Sequence, residues 1–151
     1  MIARMFRSIV VGTDGSDTAK KAVDEAIDLA KAVGARLSVV SAYEPVSKAR
    51  LREEARQTPS DLQWMVNPRE EVDGTLSDAA DIVREAGVDV EVFARQGDPA
   101  DAILDVAEET DADLIVVGNK GMTGAKRFLL GSVPNKVSHH APCSVLIVRT
   151  T

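Results

Sequence analysis

The chain has 151 residues, enough for one domain around one core. Hydrophobic residues make up 44%, charged residues 28% and aromatics only 3%, which favours an α/β core of Val, Ile, Leu and Ala over an all-β fold. A net charge of −6 with scattered basic residues argues against a nucleic-acid binder, and the single cysteine, Cys143, excludes an intrachain disulfide.

Strands and helices alternate along the chain. Arg7 to Thr13 carries Ile9-Val10-Val11 and reads as the first strand. A helix follows, with Ala19, Ala22, Val23, Ala26, Ile27, Ala30 and Val33 on one face and Gly34 as its stop. Arg36 to Ala42 is the second strand. Residues 44–75 break the rhythm with a polar, proline-bearing stretch, and 45–68 read as a long loop or lid, with Trp64 and Met65 either tacking it to the body or contacting a partner. Arg69 to Ala86 is helical, with Leu76, Ala79, Ala80 and Val83 inward and Gly87 as cap. Asp89 to Arg95 is the third strand. Asp98-Pro99 then opens a helix, Asp as N-cap and Pro in the first turn, with Ala100, Ile103, Leu104 and Ala107 buried. Leu114 to Gly118 is the fourth strand, and its β-branched run predicts burial on both faces. Met122 to Leu130 is expected to pack as a short helix or turn. A last helix runs from about Ser132 to His140, and Ser144 to Arg149 is the fifth strand. The alternation predicts βαβ units, a mostly parallel sheet and helices on both faces in a single domain, 1–151.

Ligands of such sheets sit beyond the carboxyl ends of the strands. Gly12-Thr13-Asp14, Ala42-Tyr43, Gly97 and Gly118 all fall there. The segment Val116-Val117-Gly118-Asn119-Lys120-Gly121, followed after nine residues by Gly131-Ser132, has the form of a phosphate-binding loop. Glycines let backbone N–H groups approach an anion, and a helix start offers free N–H groups and a positive dipole end. Lys120, Lys126 and Arg127 add charge for phosphate. Neither a Walker loop nor a G-x-G-x-x-G fingerprint is present. Asp14 is a candidate for ribose hydroxyls or for indirect Mg²⁺ binding, since Ser16 is free to cap the helix in its place. His139 and His140 fall at the far end of the last helix, away from the loop. No general base or nucleophile pair stands near the loop, so no catalytic residue is assigned.

The spacing G-x-x-G, nine residues, G-S resembles the signature of the universal stress protein family in its ATP-binding branch, and Ser8 to Ser16 resembles that family's opening. The resemblance covers nearly the whole chain. It implies a Rossmann-like five-stranded parallel sheet of order 3-2-1-4-5. It also implies nucleotide contacts from Gly12, Thr13 and Asp14, from Ala42 at the adenine edge, and from Gly97. The phosphate contacts would come from Val117, Gly118, Asn119, Lys120, Gly121, Gly131, Ser132 and Val133. Where the family often has Ser, His or Arg, this chain has Asn119 and Lys120. A homodimer is implied, paired through the strand 145–148, as is a stress or signalling role with ATP, Mg²⁺ and at most slow hydrolysis. An adenylating enzyme and a nucleotide-free dimeric module are the rival expectations. With no signal-like segment or long apolar run, a cytoplasmic protein with no membrane contact is expected.

Overall fold

The computed structural model describes residues 6–43, 68–119 and 130–150. The elements are β1 (Ser8–Gly12), α1 (Asp17–Val33), β2 (Arg36–Tyr43), α2 (Pro68–Glu85), β3 (Val90–Gln96), α3 (Pro99–Glu109), β4 (Leu114–Gly118), α4 (Ser132–His140) and β5 (Ser144–Val148). The loop expected over 45–68 lies outside the described residues except for Pro68, which opens α2 instead of closing the loop. Its fixed φ and missing N–H suit a first helical position. Of the turn expected over Met122 to Leu130, all but Leu130 likewise lies outside them.

All four strand pairings are parallel, and the order is β3-β2-β1-β4-β5. β1 is central, with Ile9 beside Leu37 of β2 on one side and Leu114 of β4 on the other. Every residue of β1 is buried, as its β-branched run predicts. The alternating Cβ directions send Ile9 and Val11 to one face and Val10 to the other. The first face packs under α1 and α2, through Ala22, Val23, Ala26, Ile27, Leu76 and Val83. The second packs under α3 and α4, through Ala100, Ile103, Val106, Val133 and Val137.

Local chemistry sets the ends of the helices. Ser16 caps α1 by accepting from Ala19 N, and Gly34 ends it in the left-handed region at φ 73°. Asp98 caps α3 by accepting from Asp101 N, with Pro99 next in line. At the far end of the sheet the Asp113 carboxylate accepts from the backbone N–H groups of Arg7 and Ser8, at 2.9 to 3.2 Å. That fastens the start of β1 to the start of β4.

Two helices on one face serve β1 to β3, and two on the other serve the connections to β4 and β5. The side of the crossover therefore reverses between β1 and β4. A sheet of this kind opens a crevice at the carboxyl ends of those two strands.

Candidate functional site

A shallow cleft, open to solvent, lies at that seam. Its floor is the ends of the two strands, Gly12 of β1 with Val117 and Gly118 of β4. Asp14, Thr18 and Ala19 border it from the loop and first turn of α1, Ile103 from α3, and Val133 and Pro134 from the start of α4. Thr150, beyond β5, closes the remaining side.

The floor depends on glycine at Gly12. A Cβ there would stand 2.5 Å from Ile103 Cδ1, so the bare backbone is what makes room for the Ile103 side chain of α3 at the strand end. Asp14 Oδ1 accepts from Ser16 N at 2.9 Å, an Asx turn that fixes the carboxylate at the cleft while Ser16 caps the helix. Thr13 takes a different place. Its N–H donates to Val40 O, its hydroxyl accepts from Gly15 N, and it lines a separate groove between α1 and α2 with Lys20, Asp24, Thr75 and Asp78.

Asn119 joins three elements. Its N–H donates to Val148 O at 2.9 Å, and its carbonyl accepts from Gly131 N at 3.0 Å. Its side-chain carbonyl accepts from both Thr150 N and Thr150 Oγ1, each at 2.9 Å. Gly131 is the N-cap of α4 and brings no side-chain hydrogen bond to the helix start. The start of α4 thus borders the cleft at Val133 and Pro134, with a positive dipole end and no side-chain cap on its first N–H groups. Lys21 Nζ donates to Thr150 O at 3.0 Å, which ties α1 to the same corner.

Of the residues singled out in the sequence, Gly12, Asp14, Val117, Gly118 and Val133 line the cleft, and Asn119, Gly131 and Ser132 adjoin it through the bonds above. Ala42 and Gly97 lie one and two strands away on the same edge of the sheet. There Gly97, at φ +118°, donates its N–H to Tyr43 O. Lys120, Gly121, Lys126 and Arg127 lie outside the described residues. Thr18, Ala19, Ile103, Pro134 and Thr150 were not singled out as site residues. Only Thr18 and Ala19 carry a signal, since they directly follow the Asp14-Gly15-Ser16 turn. Among the described residues no group of three His, Cys, Asp or Glu is placed to hold a metal, and Asp14 is the one carboxylate in the cleft's lining. His139 and His140 are exposed at the opposite end of α4.

The chain matches the model described as "Universal stress protein family" over residues 5–149. Universal stress protein Rv1636 of Mycobacterium tuberculosis is 41% identical over 149 residues, covering 97% of this chain and 98% of that protein. Among solved structures, a universal stress protein in complex with cAMP superposes with a TM-score of 0.71 at 35% identity, covering 97% of this chain and 98% of the other. The universal stress protein from Archaeoglobus fulgidus in complex with dAMP gives 0.65 at 28% identity, covering 96% and 99%. Sequence match and superposition agree: the chain belongs to the universal stress protein family.

Proposed function

We propose that this chain binds an adenine nucleotide in the β1–β4 cleft, with ATP and Mg²⁺ as the working ligand, and acts as a homodimeric cytoplasmic stress or signalling module. The observation that carries this reading is the cleft itself: a glycine floor, one carboxylate and an open helix start at the switch point of the sheet. The helix start suits phosphate, and Asp14 suits ribose hydroxyls or a water of hydrated Mg²⁺. Mg²⁺ commonly sits on phosphates with one or two carboxylates, so a cleft with a single carboxylate fits a metal that arrives with its nucleotide. The cAMP and dAMP complexes of two relatives support an adenine nucleotide as the ligand class. For the dimer, support comes from β5: it is an edge strand without a charged residue, and it exposes Leu146 at 39% and Ile147 at 37%. Hydrolysis is slow at most, because no described side chain in the cleft pairs with Asp14 to orient an attacking water.

The test is to denature freshly purified protein, identify any released nucleotide by mass spectrometry, and titrate the emptied protein with MgATP by calorimetry. Saturable binding is expected. Gly131→Val, at a buried position whose φ of −62° accepts a side chain, should abolish that binding while the circular dichroism spectrum is unchanged. No saturable binding by wild type refutes the function, and normal binding by Gly131→Val refutes the site.

A further inference from the structure

We infer that Thr150 is a positioning residue for the polyphosphate end of the cleft, acting through Asn119. The inference rests on the adenine-nucleotide reading and adds a residue that belongs to no glycine motif. Thr150 is only 3% exposed although it lies beyond the last strand. All three of its polar groups are engaged: N–H and hydroxyl both donate to Asn119 Oδ1, and the carbonyl accepts from Lys21 Nζ. Because the hydroxyl proton goes to Asn119, the Thr150 oxygen has only lone pairs left and cannot donate to a phosphate. Its effect on an anion must therefore be indirect.

The route is short. Thr150 holds the Asn119 side chain, and the Asn119 carbonyl holds Gly131 N, the cap residue of α4. The N–H groups of Ser132 and Val133 follow directly. Thr150 thereby fixes where the helix start points relative to the strand end at Gly118, whose position a Thr150 methyl also backs. A Cβ built on Gly118 would stand 3.2 Å from Thr150 Cγ2. The other end of the site, at Ala42 and Gly97, lies on β2 and beyond β3 and shares none of these bonds. Loosening Thr150 should then weaken a ligand's phosphates and spare its nucleoside.

The experiment compares ATP with adenosine by calorimetric titration of the full chain. Thr150→Val removes the hydroxyl donor and keeps the methyl wall. It should weaken ATP about fivefold, the loss of one net hydrogen bond, and leave adenosine within twofold. Thr150→Ser keeps the donor but not the methyl and should bind ATP more tightly than Thr150→Val. Lys21→Met, on an exposed helical position, removes only the clamp on the Thr150 carbonyl and should shift ATP in the same direction should Thr150→Val fail to fold. Equal losses for ATP and adenosine would make Thr150 a plain wall residue and overturn the inference, as would unchanged ATP binding in Thr150→Val or Lys21→Met. If wild type binds neither ligand, the adenine-nucleotide reading itself falls. If wild type binds both and only the ratio fails to move, the positioning role alone falls.

Discussion

Gly12→Ala puts the packing of the cleft floor to the test. The new Cβ would stand 2.5 Å from Ile103 Cδ1 and 3.1 Å from Cγ1, so one of the two must move. Ile103 is fully buried among Val10, Val40, Ala100 and Val117, and the clash falls on the far end of its side chain. Overpacking of this kind costs about 1–3 kcal/mol. A cost of about 2 kcal/mol in a domain of this size lowers Tm by roughly 4–8 °C. Ile103→Val removes the clashing carbon and alone costs about 0.5–1.5 kcal/mol. In the double variant the clash is largely gone, so the two costs should fail to add by about 1 kcal/mol. Urea unfolding of the four proteins measures the cycle. The same displacement pushes Ile103 toward the cleft, so Gly12→Ala should also weaken MgATP, and Ile103→Val should restore part of the loss. Strict additivity of the two stability costs would show that Ile103 does not rest on the bare backbone of Gly12, and the account of the floor would be wrong.

Three further outcomes are expected. Asp98→Ala removes the side-chain acceptor at the start of α3 and should cost about 1 kcal/mol in urea unfolding, where Asp98→Asn should cost little. Burial, with a smaller contribution from Asp113, pushes the Cys143 thiol above its ordinary 9.0. At pH 8 it should therefore react with an alkylating reagent more slowly than the same cysteine in urea, and faster reaction in the folded state would contradict this. The exposed Lys136 ammonium is held above its ordinary 10.5 by hydrogen bonds to Asp101 and, less, to Asp98. A raised folded-state pKa stabilises the fold below pH 10.5 and ceases to do so as pH climbs through the raised value. The stability gap between wild type and Lys136→Met should thus close in that alkaline range and shrink with salt; a gap that widens with pH would reverse the sign.

The fold was legible because each element carried its own local signal. Short apolar β-branched runs and period-3.6 patterns located the strands and helices, and Asp98, Gly34 and Gly87 marked helix ends that the structure reproduces. Strand order came with the family resemblance, since no local pattern says that β1 lies between β2 and β4. The floor of the cleft was legible for the same reason as the strands: Gly12 and Gly118 sit where apolar runs stop. Its walls were not. Ile103 follows the buried stripe of α3 and nothing in that stripe marks its contact with Gly12. Thr150 reads as the tail of a strand, and its bonds reach back 31 and 129 residues, to Asn119 and Lys21. Thr13 shows the opposite case. It lies inside the motif, yet its backbone and hydroxyl bonds serve the turn, and its side borders the α1–α2 groove.

The central position of β1 has a consequence for how the molecule comes into being. β1 is followed at once by its partner β2, while its other neighbour β4 pairs with it across more than a hundred residues, Ile9 beside Leu114. Local pairings form early and distant ones late, because closing a long loop costs chain entropy before any contact repays it. The β1–β2–β3 half can be complete on a nascent chain while the β4–β5 half is still being made. Gly12 and Asp14 belong to the first half, and Gly118, Val133 and Thr150 to the second. A ligand that touches both finds its site only on the finished sheet. Its binding then draws every partly assembled chain toward the native one by mass action.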